Sequence, residues 1–191
     1  MAPDPDAGVS DRALLDRLRD GDRDAFDALF RTYYGRLVGL AGSMLRDAAA
    51  AEEIAQDVML ELWRRREALT LTASVQAYLF RATRNRALNY LRHQRIAQRA
   101  EPFAADEMAP APPADRETVQ GEIDAALRDA VAALPARCRE VFELSRVHGL
   151  AYLEIAEAMD ISVKTVEAQM GKALRALRER LAPWLPAAHG I

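Results

Sequence analysis

The 191-residue chain is 50% hydrophobic and 29% charged, with a formal net charge of −3. That is enough apolar material for real cores, in one large domain or two small ones. No apolar run approaches the ~20 residues of a membrane helix, and the short acidic start lacks the apolar stretch of a secretory signal. Cys138, the single cysteine, excludes an internal disulfide. The chain therefore reads as cytoplasmic, with no direct membrane insertion.

A net negative chain is expected to hold DNA weakly on its own, but its charge is uneven. Residues 1–98 carry 15 Lys/Arg against 14 Asp/Glu, residues 99–116 carry 2 against 4, and residues 117–191 carry 9 against 11. Inside the first part, residues 79–100 hold Arg81, Arg84, Arg86, Arg92, Arg95 and Arg99 and no acid. This is a local basic footprint.

In chain order, Ser10 can cap a first helix with Leu14, Leu15 and Leu18 on one face, stopped at Gly21. Asp22 can cap a second, in which Phe26, Leu29, Phe30, Tyr33, Leu37, Leu40 and Met44 recur at three and four residues. Asp47 can open a third, to about Glu67, with Ala51, Ile54, Ala55, Val58 and Leu62 as its buried stripe. After a Thr-rich turn, Ser74 can start a fourth helix running to about Gln98. Residues 99–116 then contain Pro102, Pro110, Pro112 and Pro113, which cannot support a helix and read as a flexible linker. Helical period resumes with Val119, Ile123, Leu127 and Val131, up to Leu134. Pro135 suits the first turn of a further helix that Gly149 closes. The expected fold is all-α: two small helical domains, 10–98 and 117–182, joined by the proline-rich linker 99–116, with tails at 1–9 and 183–191.

From Tyr152 to Met170 the chain reads YLEIAEAMDISVKTVEAQM, the pattern of a helix-turn-helix. Ile155, Ala156 and Met159 face inward, Asp160 and Ile161 turn, Ser162 caps the second helix and Val166 packs back. Asp160 stands where glycine is usual, and aspartate tolerates left-handed backbone angles better than most residues. Such a unit presents the start of its second helix to the major groove. The candidates there are Ser162, Lys164, Thr165, Glu167, Ala168 and Gln169, with Lys172 and Arg175 one and two turns on. Glu can accept from cytosine, Gln can pair with adenine, and Lys or Arg can hold guanine or phosphate.

Two features of the first part are unusual. The third helix leaves Glu53, Gln56, Asp57, Leu60, Arg64 and Glu67 opposite its buried stripe. Leu60 amid those charges is either a scattered exposed leucine or the apolar anchor of a partner surface. In the fourth helix Arg81, Arg84, Leu88, Arg92 and Arg95 share a face, with Asn85 beside them and Tyr78, Phe80 and Tyr90 elsewhere on the helix. An arginine stripe near aromatics can follow a phosphate backbone and hold an unstacked base. A merely solvated basic helix would normally carry compensating acids, and this one has none.

The order AEEIAQDVMLELWRRRE, AYLFRATRNRALNYLRHQR, a proline-rich tether, and LPARCREVFELSRVHGLAYLEIAEAMDISVKTVEAQMGKALRALRERL resembles the extracytoplasmic-function (ECF) sigma factors of bacteria, across about residues 10–98 and 118–182. The resemblance implies a subunit of RNA polymerase that directs promoter-specific initiation. By that resemblance Glu53, Gln56, Asp57, Leu60 and Arg64 would contact core RNA polymerase. Arg81, Arg84, Asn85, Arg92 and Arg95, with the turn 68–74, would capture the minus-ten element as melted strand. The helix-turn-helix would read the minus-thirty-five element as duplex DNA, and the linker would thread along the polymerase. An anti-sigma factor is a further implied partner. Met59 departs from a frequent phenylalanine, and Gly171 from a frequent serine.

One alternative is a stand-alone helix-turn-helix regulator, which leaves the arginine helix and Leu60 without a role. An enzyme is less consistent still. His93, His148 and His189 are isolated, Cys138 fits a core position, and no phosphate loop or nucleophile elbow is present. No catalytic residue, metal, cofactor or small-molecule substrate is expected.

Overall fold

The computed structural model describes residues 7–69, 74–100 and 119–184. The elements are α1 (Ala7–Arg19), α2 (Arg23–Leu45), α3 (Ala48–Arg64), α4 (Val75–Ala100), α5 (Val119–Ala132), α6 (Ala136–Arg146), α7 (Tyr152–Met159), α8 (Val163–Arg180) and a closing 3₁₀ turn (Ala182–Trp184). Among the described residues there is no strand, so the all-α expectation holds, with two helical parts, α1–α4 and α5–α8. Most of the expected linker, from residue 101 on, lies outside the described residues, as do 70–73 of the turn before α4.

Local sequence explains most boundaries. The Asp22 carboxylate accepts from the amides of Asp24 and Ala25 at 2.9 and 3.3 Å, and Asp47 accepts from Ala50 at 3.1 Å. Ser74 and Ser162 do the same for Ala77 and Thr165, at 3.0 and 3.1 Å. Each cap satisfies amides that the first helical turn leaves open. Gly21 and Gly149 take left-handed angles (φ 83° and 68°), as two stop signals require, and Asp160 (φ 56°) takes the same region in the turn of the helix-turn-helix.

Four expectations are corrected. α1 begins at Ala7, so Ser10 lies inside it rather than capping it. Asp11, one residue on, meets Tyr33 of α2, a tertiary contact that favours helix there over a serine cap. α3 ends at Arg64, short of Glu67, because Arg66 folds back. Its guanidinium lies 4.6 Å from the Trp63 ring centre and donates to the Trp63 carbonyl at 3.0 Å, closing the last turn. Pro135 is the N-cap of α6 and precedes its first turn. Leu127, on the periodic stripe of α5, is 42% exposed. It lines a groove of about 660 Å³ with Met44, Val131 and Phe142 rather than filling a core.

The predicted stripes of α1, α2 and α3 lie in the core or pack against it. Leu18, Leu29, Leu37, Ala51, Ala55, Val58 and Leu62 are essentially inaccessible, each large aliphatic contributing about 1.5–3 kcal/mol by leaving water. Met59 is buried as well, so its departure from the family pattern is a packing change; an unbranched thioether fills such a site adaptably. The two helical parts do not stand apart. Leu79 and Phe80 of α4, Leu37 of α2, Leu144 of α6, Leu150, Ile155 of α7 and Met170 of α8 belong to one continuous apolar cluster. α7, the first helix of the helix-turn-helix, packs against α4.

Candidate nucleic-acid interface

The long α4 carries the expected basic face, and Arg81, Asn85, Arg92 and Arg95 are exposed along it. Arg84 is the exception. Its side chain is 13% exposed, and it grips Glu140 of α6 in a two-pronged contact, Nε–Oε1 2.5 Å and Nη2–Oε2 3.4 Å. Arg86 bonds Asp57 at 3.4 Å and also Glu61, both on α3. The helix without acids therefore takes its counter-charges from neighbouring helices, a compensation invisible within its own sequence. The aromatic expectation also needs correction. Phe80 is fully buried, edge-on to His148 with ring centres 5.4 Å apart. Tyr78 is half-buried, and the Tyr90 hydroxyl donates to Asp47 at 3.2 Å. Phe80 is thus closed to a base in this arrangement, and the open part of the face is cationic and polar rather than aromatic.

On α3, Glu53, Gln56, Asp57, Leu60 and Arg64 are all exposed, and Leu60 is 46% accessible. Two make contacts within the same half: Gln56 reaches the Tyr34 hydroxyl at 3.5 Å, and Asp57 reaches Arg86. Leu60 and its charged neighbours form one solvent-facing strip, while Glu67 lies in the turn beyond it.

In the helix-turn-helix, Ile155, Ala156, Met159, Val166 and Met170 lock α7 against α8. Lys164, Glu167, Ala168, Lys172 and Arg175 face solvent, as does Ser162 at the cap. Two candidates are less free than their spacing suggests. Thr165 is half-buried with its hydroxyl 2.8 Å from that of Ser162, and Gln169 is half-buried with Oε1 accepting from the Cys138 thiol at 3.0 Å. Cys138 itself is buried. Gly171 lies on the exposed side of α8, where an added Cβ would meet nothing within 4 Å.

A polar seam between the two halves is absent from the sequence-derived candidates. Arg36 of α2 donates to the His148 carbonyl and to Gln76 Oε1 at 3.3 Å, and lies 5.3 Å from both the Tyr33 and Phe80 ring centres. Ser74 donates to Glu154 of α7 at 2.5 Å, and the other oxygen of Glu154 accepts from the Ala151 amide at 2.9 Å. Burial, with the Arg36 charge nearby, holds the His148 imidazole down at about 4. Burial raises the Asp11 carboxyl and, together with the Asp11 contact, the Tyr33 phenol. Only the tyrosine and arginine placed one turn apart on the buried side of α2 hinted at this seam; these hydrogen bonds between the halves join residues 78 to 112 positions apart.

Among the described residues no three His, Cys, Asp or Glu side chains gather as a metal site, and no helix is long and apolar enough to cross a membrane. Residues 29–96 match the family description Sigma-70 region 2, and residues 124–177 match Sigma-70, region 4. The ECF RNA polymerase sigma factor SigK of Mycobacterium ulcerans is 30% identical over 173 residues, covering 88% of this chain and 92% of its own. RNA polymerase sigma-H factor of Pseudomonas aeruginosa is 29% identical, covering 92% of this chain and 95% of its own. Two solved structures share the fold at 22% identity. One is CnrH in complex with the cytosolic domain of CnrY (TM-score 0.65, 91% of this chain and 98% of that one). The other is the sigma factor RpoE in complex with the anti-sigma factor NepR from Bartonella quintana (TM-score 0.61, 82% and 96%). With both sigma regions in order on the helices that carry the two basic faces, the chain belongs to the ECF sigma factors of the sigma-70 family.

Proposed function

We propose that the chain binds core RNA polymerase through the α3 strip around Asp57 and Leu60 and directs it to promoters. The polymerase supplies the nucleotidyl-transfer chemistry. α4 captures the minus-ten element as melted strand through Arg81, Arg84, Asn85, Arg92 and Arg95. The start of α8 reads the minus-thirty-five element as duplex through Ser162, Lys164, Thr165, Glu167, Ala168, Gln169, Lys172 and Arg175. The observation that carries this reading is the presence, in one chain, of two separate cationic faces with an apolar-centred strip beside them. A stand-alone regulator needs only one of the three.

Neither DNA face need bind tightly by itself. Joined through one chain on the core, the second contact becomes effectively intramolecular and two weak sites suffice. Strand capture offsets unstacking, which costs a few kcal/mol per base. Because both faces act largely through phosphate contacts, promoter binding falls steeply as salt rises. An anti-sigma protein that covers these surfaces is the regulatory partner this reading implies.

The test is co-migration of the full chain with purified bacterial core polymerase, followed by binding of that complex to promoter DNA carrying a melted segment. The proposal expects tight core binding and DNA binding that needs core. Sequence-specific duplex binding by the chain alone, with no affinity for core, would instead establish the stand-alone regulator.

A further inference from the structure

A glutamine amide can read a base in two ways. Free to turn, it accepts through Oε1 and donates through Nε2 together, the paired contact that suits N6 and N7 of adenine. With Oε1 engaged elsewhere it offers only its N–H donors. Those suit bases that present acceptors in the major groove, guanine at O6 and N7 or thymine at O4. The groups packed around the amide decide between the two.

In α8, Gln169 lies one turn after Thr165 and one turn before Lys172, on the flank between the solvent-facing residues and the buried row of Val166, Met170 and Ala173. It is half-buried, and its Oε1 accepts from the Cys138 thiol of α6 at 3.0 Å. Cys138 is 2% exposed, in a small apolar cluster with Ala130, Leu134, Ala173 and Leu177. A thiol is a weak donor, but in those surroundings no water competes for it. Turned over, the amide would give up that bond and offer its N–H groups to a sulfur that accepts only weakly. Among the described residues Nε2 of Gln169 has no hydrogen-bond partner. The amide is anchored at its oxygen and open at its nitrogen.

Resting on the promoter-reading proposal, we propose that Cys138 is a positioning residue for base recognition: by holding Oε1 of Gln169 it turns the amide nitrogen toward the major groove, so that Gln169 selects guanine or thymine in the upstream duplex element. Cytosine, which presents a donor, is rejected. Adenine is disfavoured for as long as the thiol keeps the oxygen it would need. The thiol itself never touches DNA and acts through the glutamine.

The test is a selection by core polymerase carrying the full chain. The DNA is a promoter fragment taken from its own run-off start sites, with the upstream element randomised and the bound fragments sequenced. The parent chain is expected to favour guanine or thymine over adenine about tenfold at one position, and Gln169→Ala to lose the preference at that position alone. Cys138→Ser keeps a donor and is expected to keep the parent's preference. Cys138→Ala frees the amide and is expected to move that position to adenine, with the other positions and the circular dichroism unchanged. The same preference in Cys138→Ala as in the parent overturns the proposal. So does a parent preference for adenine at the position that Gln169→Ala loses, or a uniform loss across the element in both cysteine variants, which would reduce Cys138 to packing. A second readout needs neither DNA nor polymerase. Cys138 is the single cysteine, so its S–H stretch stands alone in the Raman spectrum, and Gln169→Ala is expected to shift it to higher frequency. An unmoved stretch overturns the anchoring by itself. Absence of any start site with the parent chain would instead refute the promoter reading, a failure the Raman shift does not share.

Discussion

The outer faces of α3 and α4 lie side by side in the same half of the molecule, and the packing of the two halves treats them differently. The α3 strip is presented to solvent: Leu60 stays exposed, and among the described residues the strip's ionic tie, Asp57 to Arg86, is to its own half. The α4 face is partly withdrawn, because Arg84 is held by Glu140 from the other half. On the proposed assignments, the polymerase surface is open in this arrangement while one group of the strand-binding face, Arg84, is already engaged.

The largest expected effect tests the open side of that contrast. Asp57→Ala with Leu60→Ala is expected to lower core affinity about 30-fold, the ~2 kcal/mol of an interface hot spot, measured by titration of labelled protein with core. Circular dichroism and single-strand binding should not change. Unchanged core affinity with an intact fold would move the polymerase surface elsewhere.

Next comes the second DNA face. Lys172→Ala with Arg175→Ala is expected to weaken binding of the core complex to the upstream duplex element about tenfold, and to reduce the salt dependence by about two phosphate contacts. Capture of the melted strand should be untouched. Equal loss at both elements would defeat the separation of roles between α8 and α4.

The closed seam has its own signature in pH. The His148 imidazole, held down to about 4 by burial and by Arg36, takes up a proton more readily once exposed. Its contribution to stability is therefore present above about pH 6.5 and is lost as pH falls from there toward 4. The Asp11 carboxyl, raised by burial, acts in the opposite sense, while Glu154 and Arg36 complete the charged surroundings. The quantity to compare is thus the slope of thermal stability against pH in the parent chain and in His148→Asn. The parent should lose stability more steeply on acidification, and equal slopes would remove His148 from the seam's energetics.

The smallest effect concerns α8 alone. Gly171→Ala places a methyl in open space on an exposed helix surface and should raise thermal stability by roughly 0.5–1 kcal/mol. A loss of stability would show that the α8 surface is packed in a way the free space at Gly171 does not suggest.

Most of the fold was legible because its signals are local. The Asp22, Asp47, Ser74 and Ser162 caps, the stop glycines at 21 and 149, and the buried stripes of α2 and α3 each depend on residues within a turn or two. Ser10 misled because the contact of Asp11 with Tyr33, across 22 positions, outweighs a cap preference. The exposed parts of the candidate surfaces were readable from helical period: Leu60 on α3, Lys172 on α8, Arg92 and Arg95 on α4. What period could not show was occupancy. Arg84 and Glu140 are 56 positions apart, Gln169 and Cys138 are 31 apart, and the acids that balance α4 sit on α3 and α6. The buried places of Phe80 and His148 likewise follow from how the two halves meet, which no pattern within either half records.

The central claim is that this chain directs promoter-specific initiation, and run-off transcription tests it most directly. Purified core polymerase is given fragments of the source genome with and without the full-length protein. The account predicts start sites that appear only with the protein and share two short motifs at a fixed spacing. Core binding demonstrated under the same conditions, with no new start site on any fragment, would contradict it.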